Sequence, residues 1–81
     1  MIVKRNRKDI EQKVKDIIWN YFNEEVDFNT RFKEDLGVDS LDLIELTMEF
    51  EKEFQLDEVS RQALKNIKIV GDVVDIIVKS K

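Results

Sequence analysis

The chain of 81 residues contains no cysteine, no histidine and no proline, and it has only two glycines. The lack of cysteine excludes a disulfide framework, a thiolate metal site and a cysteine nucleophile. The lack of histidine removes the commonest general base, the commonest zinc ligand and any serine–histidine triad. No apolar run approaches the ~20 residues that span a bilayer, and the start of the chain lacks the apolar segment of a signal peptide. We therefore expect no membrane span and a cytoplasmic location.

Charge is plentiful but unevenly distributed. Charged residues make up 40% of the sequence and hydrophobic residues 42%, which is typical of one compact helical domain covering all 81 residues. Residues 1–15 carry six basic side chains against Asp9 and Glu11, whereas residues 34–58 carry ten acidic side chains against Lys52 alone. The acidic region favours positively charged partners, and it argues against nucleic acid because the phosphates would be repelled.

A short basic segment, Lys4-Arg5-Asn6-Arg7-Lys8, lies at the start of the chain. A run of this length is typical of a solvated terminus. Binding to nucleic acid or to an anionic membrane surface is the alternative.

Four segments have the character of helices. Apolar residues at steps of three and four predict helices over about 8–22, from residue 39 or 40 to 54, and over about 70–78, with a short helical segment at about 57–64. The β-branched run at 73–78 would suit a strand on propensity alone, but it lacks the alternation of a strand. The sequence therefore predicts an all-α fold with a short third helix.

The first helix and the connection after it have distinct apolar patterns. The helix is predicted to begin at a cap, Asn6, and to stop at Asn23. Trp19 falls beside the apolar stripe, so we expect its side chain to be partly exposed. The stripe comprises Ile10, Val14, Ile17, Ile18 and Tyr21. The long connection 23–39 is expected to be pinned by its own apolar residues, Val26, Phe28, Phe32 and Leu36. Gly37 is predicted to adopt a positive φ before the second helix.

The predicted second helix is apolar on more than one side. The core side comprises Leu43, Leu46, Thr47, Phe50 and Phe54. A second set, Leu41, Ile44 and Met48, lies elsewhere on the helix among carboxylates. This second set predicts a contact surface for another molecule, although plain core packing is an alternative for Leu41 and Ile44.

Ser40 lies at the start of this helix in the run Asp35-Leu36-Gly37-Val38-Asp39-Ser40-Leu41-Asp42. Asp39 and Ser40 both suit a helix cap, so capping alone is one interpretation of the pair. A phosphodiester on Ser40 would also be favoured there, because the positive end of a helix attracts anions. A catalytic role for Ser40 would need a base and an oxyanion site, and the carboxylates lack the spacing of a calcium loop. We therefore predict no catalytic residue and no metal site.

The run around Ser40, with Phe32-Lys33-Glu34 before it and Glu45-Leu46 through Met48 to Phe54 after it, resembles the acyl carrier protein family. The specific likeness covers about residues 29–54. The resemblance implies a small four-helix bundle with a short third helix. It also implies that a phosphopantetheinyl transferase moves a 4'-phosphopantetheine arm from coenzyme A to Ser40, using magnesium. The arm would then carry acyl groups as thioesters between fatty-acid or related biosynthetic enzymes.

The same resemblance assigns roles to further residues. The expected partners are the transferase and acyl-transfer and chain-elongation enzymes with basic docking patches. The implied docking residues are Asp39, Leu41, Asp42, Ile44, Glu45, Met48 and Glu51. The implied acyl-cavity residues are Phe32, Leu43, Leu46, Thr47 and Phe50.

Some positions depart from the family pattern. Lys52 stands where many members have an acid, Lys68-Ile69 replaces the small hydroxyl residues before the last helix, and the basic start is not typical. These departures weaken the case for the housekeeping fatty-acid carrier, and a specialised pathway is the alternative. We therefore expect a monomeric carrier, not an enzyme. The alternatives are a peptidyl or D-alanyl carrier, and an unmodified helical interaction module that binds a basic partner.

Overall fold

A computed structural model describes residues 6–80 of the chain. Its helices are α1 (Arg7–Phe22), α2 (Ser40–Phe54), α3 (Glu58–Ala63) and α4 (Val70–Lys79), with a 3-10 turn at Leu64–Asn66 between α3 and α4. Within residues 6–80 there is no strand, and the one isolated β-bridge pairs Arg31 with Ile69. The predicted all-α architecture with a short third helix is confirmed. The predicted basic residues Lys4 and Arg5 lie outside the described range.

A side-chain cap sets the start of α1, and a left-handed residue sets its end. The Asn6 side chain accepts a hydrogen bond from the Asp9 amide at 2.9 Å, so Asn6 is the cap that was predicted. A cap at residue 6 makes Arg7 the first helical residue, one position earlier than expected. Asn23 ends the helix with a left-handed φ of 54°, and its amide donates to the Trp19 carbonyl at 2.7 Å.

One apolar core joins α1, α2 and α4. It takes Ile10, Val14, Ile17 and Ile18 from α1, Leu46, Phe50 and Phe54 from α2, and Val70, Val73, Val74 and Ile77 from α4. Leu64 and Ile67 join it from the segment between α3 and α4. The β-branched residues of α4 are buried in a helix because their spacing places them on one face, and this burial outweighs their preference for strands.

The prediction that Tyr21 belongs to the apolar stripe of α1 is wrong. Tyr21 is 43% exposed, and the neighbouring Phe22 packs against the core instead. The tyrosine hydroxyl lies 3.5 Å from a carboxylate oxygen of Glu49 on α2, so the polar end of the ring stays at the surface. Trp19 is about half exposed, as expected.

The long connection between α1 and α2 is pinned to the bundle, as predicted. Phe32 is buried, and Val26, Phe28 and Leu36 pack against the core. Backbone bonds add to this packing, because the carbonyls of Phe28 and Thr30 accept the first amides of α4 at 2.9 and 3.0 Å. The connection therefore satisfies amides that the start of any helix leaves unpaired.

The start of α4 needs two residues whose roles were not anticipated. A Cβ on Gly71 would lie 3.0 Å from the Phe28 carbonyl oxygen, so glycine permits the close approach of the connection. The Asp72 carboxylate accepts bonds from the amides of Lys68 and Ile69 at 2.9 and 3.1 Å. This reach-back is the carboxylate half of a capping box. The first amides of α4 itself donate to backbone carbonyls, in place of the hydroxyl that Lys68-Ile69 does not supply.

Candidate functional site

Ser40 is the first residue of α2, and its position depends on the turn before it. Gly37 has a φ of +67°, as predicted, and turns the chain towards the helix. Val38 is buried, and its amide donates to the Phe32 carbonyl at 3.0 Å. Val38 therefore anchors the chain two residues before Ser40, whereas Ser40 itself is exposed.

Asp39 caps the helix that Ser40 begins. The Asp39 side chain accepts a hydrogen bond from the Asp42 amide at 2.8 Å, and its carbonyl accepts the Leu43 amide at 2.9 Å. The start of α2 therefore does not require the Ser40 hydroxyl as a cap. Of the Asp39-Ser40 pair, Asp39 is therefore the cap, and the Ser40 hydroxyl is not needed for capping.

A second carboxylate closes the turn that precedes Gly37. Asp35 accepts from the Arg31 amide at 2.8 Å and pairs with the Arg31 guanidinium at 3.1 Å. The side-chain bond, followed by the backbone bond, lowers the pKa of the Asp35 carboxyl from its ordinary value. This pair holds the turn in place over residues 31–36, where the amides of Asp35 and Leu36 both donate to the Arg31 carbonyl.

The predicted docking residues share an exposed surface on α2. Leu41, Ile44 and Met48 are 64%, 56% and 55% exposed, so core packing is excluded for Leu41 and Ile44. Single exposed apolar residues are ordinary, but three within two turns of a helix form a patch. Asp39, Asp42 and Glu45 are exposed beside them, and Glu51 is half-buried. We call the six exposed residues the acidic face: Asp39, Leu41, Asp42, Ile44, Glu45 and Met48.

A groove of about 390 Å³ opens beside Ser40. We call it the Ser40 groove; its lining residues are Lys33, Ser40, Leu43, Ile44, Thr47, Glu51, Leu64 and Lys65. Two of the predicted cavity residues, Leu43 and Thr47, are therefore in its wall. The Thr47 hydroxyl donates to the Ile44 carbonyl at 2.8 Å, so this buried polar group has a hydrogen-bond partner.

The other predicted cavity residues are placed differently. Phe32 lines an adjoining groove of about 750 Å³ with Leu43 and Lys68. Leu46 and Phe50 are fully buried in the core and do not line the Ser40 groove. An acyl chain would reach Leu46 or Phe50 only if the core opened.

Three groove residues were missed as site residues: Lys33, Leu64 and Lys65. Lys33 stands seven positions before Ser40 inside the recognised run, so the sequence could have indicated that it lies near Ser40. Leu64 and Lys65 come more than twenty positions after Ser40. No local pattern indicates that the 3-10 turn Leu64–Asn66 forms the opposite wall of the groove.

The site fits a group attached covalently through an oxygen. Ser40 is exposed at a helix start, where backbone amides and the helix dipole would stabilise an anion. An apolar groove begins at the same residue and offers space for a flexible chain. The fold and site together define a class of protein: a small helical bundle that presents an exposed serine at the start of its second helix.

Comparisons with known proteins agree with this class. The family model of the phosphopantetheine attachment site matches residues 13–77. An acyl carrier protein of Aster yellows witches'-broom phytoplasma is 46% identical over 72 residues, covering 85% of this chain and 93% of the relative. An acyl carrier protein of Rickettsia bellii is 49% identical over 76 residues, covering 90% and 93%.

A solved structure supports the same relationship. The acyl carrier protein from Enterococcus faecalis superposes with a TM-score of 0.72 at 33% sequence identity, over 95% of this chain and 100% of that one. The chain therefore belongs to the acyl carrier protein family, whose defining feature is the phosphopantetheine attachment site. Within residues 6–80, no helix is both long enough and apolar enough to cross a membrane.

Proposed function

We propose that this chain is an acyl carrier whose 4'-phosphopantetheine arm is attached through the Ser40 hydroxyl. The single observation that carries the proposal is the exposed Ser40 at the start of α2, capped by Asp39 and opening onto a groove. The relatives at 46% and 49% identity are acyl carrier proteins, which supports the same function. When attached, the arm supplies a thiol that holds acyl groups as thioesters.

The residues around Ser40 prepare it for attachment. Gly37 and Val38 set the entry to α2, so the hydroxyl faces solvent, where an approaching transferase has access to it. The first amides of α2 and the helix dipole stabilise the negative charge of the phosphodiester that the transfer leaves on the oxygen. Catalysis of the transfer belongs to the partner enzyme, and we propose that the chain itself is a carrier and not an enzyme.

We propose that the acidic face is the docking surface for partner enzymes. Its carboxylates, Asp39, Asp42 and Glu45, attract basic patches, and its apolar residues supply area that a partner buries. Glu51, which is half-buried and lines the groove, contributes less to docking than the sequence suggests. The proposed partners are a phosphopantetheinyl transferase and acyl-transfer and chain-elongation enzymes of fatty-acid or related synthesis.

We propose that the Ser40 groove shelters part of the attached acyl chain. Leu43, Ile44 and Leu64 provide apolar contacts, and Thr47 adds its methyl group. Leu46 and Phe50 are fully buried in the packed core. A short acyl chain therefore fits in the groove without moving them, whereas a long acyl chain requires the core to open.

The decisive experiment is intact mass after incubation with coenzyme A, magnesium and a promiscuous phosphopantetheinyl transferase. We expect a gain of one phosphopantetheine on the wild-type chain and none on Ser40→Ala. The matched control is Ser60→Ala, which changes the buried serine of α3 and leaves Ser40 in place. A gain on Ser40→Ala would show that the attachment site is elsewhere.

The same experiment separates the alternatives. A folded wild-type chain that gains no arm beside an active transferase would favour the unmodified interaction module. A peptidyl or D-alanyl carrier would gain the arm but accept an amino acid from its loading enzyme instead of an acyl group. The single domain, the monomeric state and the cytoplasmic location stay predictions from the sequence.

A further inference from the structure

Two lysines stand in the wall of the Ser40 groove, although the surface around Ser40 is otherwise acidic. Lys33 lies in the turn before α2, and Lys65 lies in the 3-10 turn after α3. They therefore reach the groove from two separate parts of the chain. Both side chains belong to exposed residues, so their ammonium groups are accessible from the groove and from solvent.

Both lysines line the same groove as Ser40. Lys33, Leu43 and Lys65 line both the Ser40 groove and the adjoining groove, so these three residues mark the boundary between them. Leu43 is three residues from Ser40, about 4.5 Å along the helix axis. The hydrogen bond between the Val38 amide and the Phe32 carbonyl, at 3.0 Å, independently brings the residue before Lys33 beside the entry to α2.

The carboxylate in the groove belongs to a residue much farther along α2 than Ser40. Glu51 follows Ser40 by eleven residues, which is about 16 Å along α2. Across the helix start, by contrast, Asp39 and Asp42 are exposed close to Ser40. A negative group on the Ser40 oxygen thus has carboxylates on the acidic face, whereas the groove side holds two ammonium groups, with Glu34 in the adjoining groove and Glu58 near enough to Lys65 for their charges to interact.

We infer that Lys33 and Lys65 hold the phosphodiester of the arm on the groove side of Ser40 and so direct the arm into the Ser40 groove. The inference rests on the proposed attachment at Ser40. The lysines are positioning residues: their long flexible stems allow charge-assisted hydrogen bonds to phosphate oxygens, while Asp39 and Asp42 repel the same group. The arm is thereby kept off the acidic face, which stays free for partner enzymes.

The test uses the arm-bearing protein without cargo. Wild type, Lys33→Gln/Lys65→Gln and a control, Lys52→Gln, are loaded, and intact mass verifies one arm on each. Lys52 is an exposed lysine of α2 that does not line the groove. Amide ¹H–¹⁵N shifts of Thr47 and Leu64 are then compared with and without the arm, because both residues line the groove.

We expect the wild type and Lys52→Gln to show the same arm-dependent shifts at Thr47 and Leu64. In the double variant, the ratio of groove-bound to free arm should fall about fivefold, as expected for the loss of two exposed ion pairs. The wild-type shifts should also shrink as salt rises from about 0.1 M to about 1 M, because the Debye length falls from ~10 Å to ~3 Å.

Each failure has a separate meaning. A loaded double variant with undiminished shifts, or wild-type shifts that are insensitive to salt, would overturn the inference and leave attachment at Ser40 intact. A wild-type chain that gains no arm would overturn the proposed function and the inference together. If the double variant does not load, the single variants and the wild-type salt series decide the question by the same criterion.

Discussion

Asp39 combines two roles that a pair of substitutions separates. Its side chain caps α2 through the Asp42 amide, and its charge belongs to the acidic face. Both aspartate and asparagine suit a helix cap, because either side chain supplies the accepting oxygen, whereas alanine supplies none. The stability of the helix and the affinity for a partner therefore depend on different properties of one residue.

We expect Asp39→Ala to lower the free energy of unfolding by about 1 kcal/mol, the ordinary cost of losing a cap. Asp39→Asn should change stability by much less, since it keeps the hydrogen bond. Both variants should be loaded more slowly than wild type by the transferase, because both lose the charge. Urea unfolding and the initial rate of loading measure the two effects. Equal free energies of unfolding for the two variants would contradict the role of Asp39 as a cap.

At the scale of elements, the turn over residues 31–36 determines how α2 begins. The Arg31–Asp35 pair closes this turn, and the isolated bridge between Arg31 and Ile69 ties it to the start of α4. The bonds to Arg31 lower the pKa of Asp35 in the folded protein below its ordinary value of 3.8. The unfolded chain therefore binds more protons than the folded chain on the acid side, and stability falls with falling pH.

We expect the difference in stability between wild type and Asp35→Asn to be complete above about pH 4 and to narrow as pH falls through the folded pKa of Asp35. Arg31→Gln should show the same trend with a smaller difference, because the Arg31 amide still donates to Asp35. Urea midpoints between neutral pH and about pH 3 measure both differences. A difference that does not change with pH would contradict the role of the charged pair.

The short helix α3 responds to acid in the same direction. Hydrogen bonds from Ser60 lower the pKa of Asp57, the cap of α3, and those from Gln62, with the charge of Arg61, lower the pKa of Glu58. Protonation of these carboxyls weakens the cap bond and removes the ion pair that stabilise a helix of only six residues. Because Leu64 follows directly, loss of α3 in acid would disturb one wall of the Ser40 groove.

At the scale of the molecule, ion pairs join helices that differ in charge along the sequence. Two surface ion pairs cross between helices: Lys13 with Glu53 at 3.2 Å, and Arg7 with Asp75 at 3.2 Å. All four side chains are about half exposed, so each pair contributes at most about 1 kcal/mol. Packing of the core, not these pairs, holds the helices together. The remaining carboxylates of α2 leave a net negative field towards partners.

We expect affinity for the transferase to fall on the order of tenfold as salt rises from about 0.1 M to about 1 M, because screening weakens charge-steered docking. Asp42→Asn with Glu45→Gln should lower the affinity and flatten its dependence on salt. Glu24→Gln, an exposed carboxylate on the connection after α1, is the matched control and should change neither. Dissociation constants measured across the salt series test this. Affinity that does not vary with salt would contradict docking through the acidic face.

Much of this protein is determined locally, and the sequence alone predicts that part. The helix spans follow from apolar spacing, the Asn6 cap and the positive φ of Gly37 follow from residue type, and Ser40 is identified by the run that surrounds it. Each of these features depends on residues within one or two turns of chain. Caps, turns and amphipathic faces have this short range, which is why they are visible without a structure.

What the tertiary structure decided depends on residues far apart in the chain. The exposure of Tyr21 beside Glu49, the need for glycine at 71 beneath the Phe28 carbonyl, and the closure of the Ser40 groove by Leu64 are contacts between separate elements. A periodic pattern states which side of a helix is apolar, but not which neighbour covers it or leaves it open. The proposed attachment residue was therefore predictable from the sequence, whereas the groove that would receive its arm exists only once α2 meets the turn after α3.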